Sequence, residues 1–208
     1  MKRIIATLIT LLTISGLSNA QSNQETLFGE KISLSNLGVM VEPGFQYTRL
    51  AGEGAGFFHL RGGIVFNDKI TLGGFYGQLL NEPRPASFDV AQLPSRAHLD
   101  SYMAGGFVEY TAFSSKLIHL TFPLAIGVME MEIDDEGRNF DFEETKTLFL
   151  EPKAMLEINL HRFARLNAGL GYRIMGSKIE EFPGVPEAGN ALTFQVGLKM
   201  GMFSFKKQ

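Results

Sequence analysis

The chain has 208 residues, no cysteine, no tryptophan, 18 phenylalanines, 23 glycines and a formal charge of -3. Zero cysteines exclude disulfide staples and thiolate metal sites, and the acidic balance argues against nucleic acid as a partner. Past residue 20, no apolar stretch approaches the roughly 20 residues that a membrane helix requires, which excludes a helical membrane protein as well.

Lys2 and Arg3 precede an apolar run from Ile4 to Ile14, and the chain then turns small and polar through Ser15, Gly16, Ser18, Asn19 and Ala20. This is the layout of a secretory signal peptide, and the run is too short to serve as a spanning anchor. Ser18 and Ala20 supply the small side chains of a cleavage site, which places the cut between Ala20 and Gln21. No cysteine follows the run, so a lipoprotein-type anchor is not expected. Cleavage leaves one ordinary domain of about 188 residues with a charge of about -5. Within it, residues 21–36 read as a periplasmic N-terminal segment and 37–208 as the folded body.

From there the apolar residues recur with period two in short segments, the signature of β-strands. Val41 to Tyr47, Phe57 to Phe66, Ile70 to Gln78, Tyr102 to Phe113 and Ile118 to Met129 are the first five predicted strands. The sixth sets Leu150, Ala154, Leu156, Ile158 and Leu160 against Glu151, Lys153, Glu157 and Asn159. In the seventh, Leu166, Ala168, Leu170, Tyr172 and Ile174 alternate with Arg165, Asn167, Gly169, Gly171 and Arg173. The eighth is the cleanest: Leu192, Phe194, Val196, Leu198, Met200 and Met202 are apolar, and Thr193, Gln195, Gly197, Lys199 and Gly201 fill the positions between. Pro43, Pro123 and Pro152 donate no ladder hydrogen bond, so bulges or strand ends are expected there.

Short and long connections take turns. Phe66 to Lys69, Phe113 to Lys116 and His161 to Ala164 are tight reversals, whereas Asn81 to His98, Asp134 to Thr147 and Gly176 to Asn190 are long and polar. The first connection, around Gly52 to Gly56, is the short one on the long-loop side. Tight turns at one rim and longer loops at the other are the arrangement of transmembrane barrels, and eight strands bring both termini to the tight-turn rim. Which face is inside follows from glycine. Gly44, Gly63, Gly73, Gly77, Gly105, Gly127, Gly169, Gly171, Gly197 and Gly201 share the parity of the polar residues. Glycine weakens an outer surface for no gain, but in a narrow lumen it makes room for long side chains. The predicted fold is therefore all-β: a transmembrane antiparallel up-and-down β-barrel of about eight strands, polar inside.

The phrases FFHLRGG (57–63), ITLGGFYG (70–77), HLTFPLAIG (119–127) and LNAGLGYR (166–173) sit in this frame. On them the chain resembles, over Leu37 to Phe205, the small outer-membrane β-barrel family of Gram-negative bacteria, the eight-stranded barrels of the outer-membrane protein A and X type. The resemblance implies export through the periplasm, residence in the outer membrane and help from the barrel-assembly machinery. Tyr and Phe would serve as interfacial belts in the absence of Trp, with Phe203 and Phe205 as the terminal assembly signal.

Nine charged residues carry the lumen parity: Glu42, Glu109, Glu151 and Glu157 against Arg61, Lys153, Arg165, Arg173 and Lys199, with His59, His119 and His161 beside them. Their near balance predicts a buried ion network that plugs the lumen, because pairing offsets the cost of dehydrating each charge. A simple hairpin count from the Arg162 turn sets Glu157 opposite Gly169, with Gly169 and Gly171 leaving space for Glu157 and an arginine. Lys199→Met is expected to be milder than Leu198→Arg. An enzyme would need a nucleophile, a base and an orienting group; no short motif supplies them, and the candidates to test are His59, His98 and Ser101. Asp134 to Gly137 through Asp141, Glu143 and Glu144 is acidic, but its glycine is misplaced for an EF-hand loop, so a solvated loop is expected. The reading is a non-enzymatic, monomeric barrel without cofactor or metal, partnered by outer-membrane lipid and lipopolysaccharide and acting through its external loops. Two alternatives stand beside it: a soluble periplasmic barrel with an apolar ligand inside and all faces inverted, and an outer-membrane barrel enzyme acting on lipid.

Overall fold

A computed structural model describes residues 37–134, 145–176 and 190–203. The cleavage site at Ala20 and Gln21, the 21–36 segment, Phe205, the acidic run beyond Asp134 and most of the last long connection lie outside the described residues.

Eight strands follow one another in chain order: β1 (Leu37–Leu50), β2 (Glu53–Phe66), β3 (Ile70–Leu79), β4 (His98–Ala112), β5 (Ile118–Asp134), β6 (Thr145–His161), β7 (Ala164–Met175) and β8 (Ala191–Met202), with a one-turn helix α1 (Ser87–Val90) between β3 and β4. Each strand pairs antiparallel with the next, and β8 pairs with β1 through Val39↔Met202 to Tyr47↔Phe194, which closes the sheet into a barrel. Period two explains the rest, because consecutive side chains point to opposite faces. Along β8, Thr193, Gln195, Gly197 and Lys199 are buried while Leu192, Phe194, Val196, Leu198 and Met200 are exposed.

The strands outrun the apolar alternation that predicts them. On β5 the outward row is Ile118, Leu120, Phe122, Leu124, Ile126 and Val128, followed by Glu130, Glu132 and Asp134, still paired with His98 to Tyr102 of β4. At about 3.3 Å per residue and a tilt of about 40°, Ile118 to Val128 spans about 25 Å along the barrel axis, the height of a lipid-facing apolar band. The charged residues thus stand on sheet that continues past the band. Four of the five tyrosines, Tyr47, Tyr76, Tyr102 and Tyr172, point outward near the loop rim, with the Tyr76 and Tyr102 rings stacked at 6.1 Å.

The prolines break the expectation of bulges. All three lie inside strands, and the pairing on either side of each gap keeps one register: Val41↔Met200 and Gly44↔Gly197 around Pro43, Thr121↔Met155 and Leu124↔Pro152 around Pro123, Leu150↔Ile174 and Lys153↔Gly171 around Pro152. Each interruption faces one neighbour only, since a residue's N–H points to one side of an antiparallel ladder. The one register shift falls instead between Asn159 and His161. The Gly52 to Gly56 connection narrows to Ala51 and Gly52, with φ of 51° and 86°. Positive φ at both central residues is the hairpin geometry whose twist matches the flanking strands.

Candidate functional site in the barrel lumen

Parity sends every inward side chain into a space just wide enough for side chains. The lumen is filled in three tiers. At the loop rim the filling is apolar: Leu50, Ala55, Phe57, Leu79, Leu99, Met103, Met129, Met131 and Ile133 are buried together. The connection after β3 folds over them, with Phe88 of α1 and Ala97 fully buried. Arg84 holds this cover shut, donating to the Pro94 and Ala97 carbonyls at 2.8 and 2.5 Å and to Asp89 at 2.8 Å.

Below lies the Glu151 tier. Glu151 accepts from Arg173 Nε at 2.8 Å, from Gln46 Nε2 at 2.7 Å and from Thr193 Oγ1 at 3.1 Å, and pairs with Lys153 at 2.9 Å. Arg173 joins this tier to the one above, since its guanidinium also donates to the sulfurs of Met129 and Met103 at 3.8 and 3.6 Å and lies against the Phe149 and Phe57 rings. His59 and Phe75 stack at 5.8 Å. Glycine makes room for such groups: a Cβ on Gly127 would lie 2.9 Å from Cζ of Phe75.

The turn-side tier is a continuous ion network. Arg61 bridges Glu42 at 3.1 Å and Glu109 at 2.8 Å, with its guanidinium 4.0 Å from the Phe107 ring centroid. Lys199 touches three carboxylates: Glu109 at 2.7 Å, Glu42 at 3.9 Å and Glu157 in a short contact. Glu157 also meets Arg165 at 3.2 Å and His119 at 2.8 Å, and Arg165 covers the Phe203 ring at 3.5 Å. Each of the four glutamates therefore contacts at least two bases, the arrangement that compensates buried charge.

The nine charged residues read from the sequence thus occupy two linked clusters rather than one. His59 and His119 are buried with them, but His161 is exposed at the turn and packs on Phe163 at 5.5 Å. One expectation needs correction. Glu157 stands opposite Asn167, and Gly169 faces Met155; a Cβ on Gly169 would meet Met155 and one on Gly171 would meet Lys153 and Thr193. The cause is a two-residue turn, with His161 paired to Ala164, and the register shift just before it. Because the Lys199 ammonium touches three buried acids, Lys199→Met is now expected to be costly rather than mild. Sequence reasoning also missed the apolar tier, although Phe57, Leu99, Met103, Met129, Met131 and Ile133 carry the same odd numbers as Arg61 and Glu109.

Of the residues considered for catalysis, Ser101 donates its hydroxyl to the Glu130 carbonyl at 2.6 Å, and His98 Nδ1 lies 3.1 Å from the Arg96 carbonyl. Neither contact is a nucleophile held by a base.

No protein-family model matches the chain, and no curated protein sequence matches it. Solved structures do. Neisserial surface protein A superposes with a TM-score of 0.57 at 11% identity, covering 82% of this chain and 99% of its own. Ail, the attachment invasion locus protein of Yersinia pestis, gives 0.51 at 14% identity, covering 80% and 99%, and outer membrane protein H of P. aeruginosa gives 0.50 at 12% identity, covering 78% and 98%. At these identities the likeness is one of architecture: this chain has the closed, antiparallel, eight-stranded fold of small outer-membrane barrels.

Proposed function

We propose that this chain is an integral outer-membrane protein, exported with loss of residues 1–20, whose barrel is a plugged, non-enzymatic scaffold for its external loops. One observation carries the reading: a band of the outward face runs apolar around the barrel, from Val41, Phe45 and Tyr47 on β1 to Leu192, Phe194 and Leu198 on β8, while Glu42, Glu109, Glu151, Glu157 and Lys199 are buried inside. A closed barrel with greasy exterior and charged interior is at home in lipid and insoluble out of it. The inverted, soluble alternative needs these faces exchanged, so the same observation speaks against it. Barrel closure leaves no edge strand for pairing, which favours a monomer. Lipid and lipopolysaccharide would be the surrounding partners, and the assembly machinery would act only during insertion. Binding falls to the loops because the described inward side chains are buried against one another along the lumen.

Fractionation tests this directly. The unheated protein should stay with membranes through carbonate or urea washing, and release by either wash would overturn the proposal. In planar bilayers the folded barrel should conduct poorly or not at all; large, stable open-channel steps would replace the plug with a pore.

A further inference from the structure

We propose that the turn rim carries a binding corner for the headgroup phosphate of an anionic phospholipid, in the leaflet that the tight turns face. The inference rests on the membrane reading above and deepens it. Beside the β6–β7 turn, Asn159, Leu160, His161, Arg162 and Arg165 line an open cavity of about 360 Å³. Arg165 is already compensated there, with Glu157 at 3.2 Å and Asp68 at 3.8 Å, but Arg162 has no acid partner among the described residues, and its guanidinium lies over the Phe163 ring at 4.5 Å. The ring contact fixes the planar fork without using its donors, and that fork matches the oxygens of a phosphate.

A second cation stands at the same corner. The Asn159 side chain donates to the Lys116 carbonyl at 2.9 Å and its backbone N–H donates to Leu117 O at 3.0 Å, which stitches the β4–β5 turn to the mouth of the cavity. Lys116 is exposed and has no ion pair among the described residues. Around the two cations Phe113, Leu117, Leu160 and Phe163 are exposed at 69, 66, 59 and 43%. Large apolar side chains beside uncompensated cations, at the level where the outward band ends, fit an acyl chain below and a phosphate above. Free phosphate has no use for the apolar surround. The loop rim is more acidic: among the described residues Glu53, Glu82, Asp89, Asp100, Glu132 and Asp134 outnumber Arg49, Arg84, Arg96 and Lys146.

The test uses folded barrel in neutral detergent, titrated with short-chain phosphatidylglycerol, short-chain phosphatidylcholine or inorganic phosphate, with bound molecules counted by native mass spectrometry. Wild type should prefer phosphatidylglycerol by about fivefold for each of the two cations, and the preference should shrink with added salt. Arg162→Gln with Lys116→Gln should abolish the preference, while Lys69→Gln, on the β2–β3 turn, should leave it intact; the heat-dependent gel shift of barrels verifies that each variant is folded. Equal binding of the two lipids by wild type, or loss of preference in Lys69→Gln alone, would overturn the corner. Inorganic phosphate competing at equal concentration would make it a free-anion site and overturn the lipid assignment. A chain washed off membranes by carbonate defeats the membrane reading itself, whereas an embedded chain without lipid preference defeats only this corner.

Discussion

The two ends of the lumen are filled by the same inward parity and by different chemistry. Toward the loops, Phe57, Leu99, Met103, Met129 and Met131 pack without direction, under a cover anchored by Phe88. Toward the turns, Glu42, Arg61, Glu109, Lys199, Glu157 and Arg165 form a chain in which every member needs its neighbours. The difference is one of tolerance. An apolar plug accepts another side chain of similar volume, while an ion network accepts no missing partner, because each orphaned charge stays dehydrated.

That contrast can be broken most easily at its hub. Lys199→Met removes the ammonium that touches three carboxylates and should cost about 3–5 kcal/mol. Adding Glu157→Gln should recover part of it, as read from urea unfolding in lipid vesicles; a loss under 1 kcal/mol, as estimated for exposed pairs, would mean the network is hydrated. Next comes Leu198→Arg, one residue away but outward, which places a charge in the apolar band at about 2–4 kcal/mol in the same assay. Damage equal to that of Lys199→Met would show that facing does not govern cost. In the loop-side plug, Met131→Leu is fully buried yet should lose less than about 1.5 kcal/mol, and a larger loss would make the two ends equally exacting.

The smallest effect lies beyond the band. Tyr102 donates to Glu130 at 2.5 Å and Lys146 pairs with it at 2.9 Å, which hold its carboxyl below the usual range against the opposing effect of burial. A depressed value contributes stability that is present above the unfolded carboxylate range, near about 4.3, and fades as pH falls through the folded value. Glu130→Gln should therefore lower the unfolding midpoint slightly at neutral pH, match wild type in acid where the native carboxyl is protonated as well, and so flatten the acid limb between the two.

Strand existence and facing were legible because period two leaves no choice: once Lys199 faces in, Leu198 faces out. The ion-bearing residues were legible for the same reason. Their partners were not. Glu157 pairs across to Asn167 because a register shift at Asn159–His161 adds to a two-residue turn, and nothing in the run of side chains marks that step. Parity also cannot tell height, so Phe57 and Arg61 look alike on paper although they sit in different tiers. The cover formed by α1 was hidden by composition: the Asn81 to His98 stretch is polar and proline-rich, and the burial of Phe88 depends on a cavity that other strands create. Pro43, Pro123 and Pro152 misled because a ladder loses one rung at each and keeps its register.

The seam between β1 and β8 gives the ion network a bearing on how the barrel comes together in time. Gln195 of β8 donates to Glu42 of β1 at 3.1 Å across 153 positions of chain, and Lys199 of β8 reaches Glu109 of β4 at 2.7 Å. Until the last strand arrives, three of the four inward glutamates lack the ammonium they share and keep only the bases of earlier strands, so an open sheet entering the membrane would carry them under-compensated. Insertion without closure is therefore costlier than closure with insertion, so the charges that fill the finished barrel would also weigh, as it assembles, against a half-zipped one.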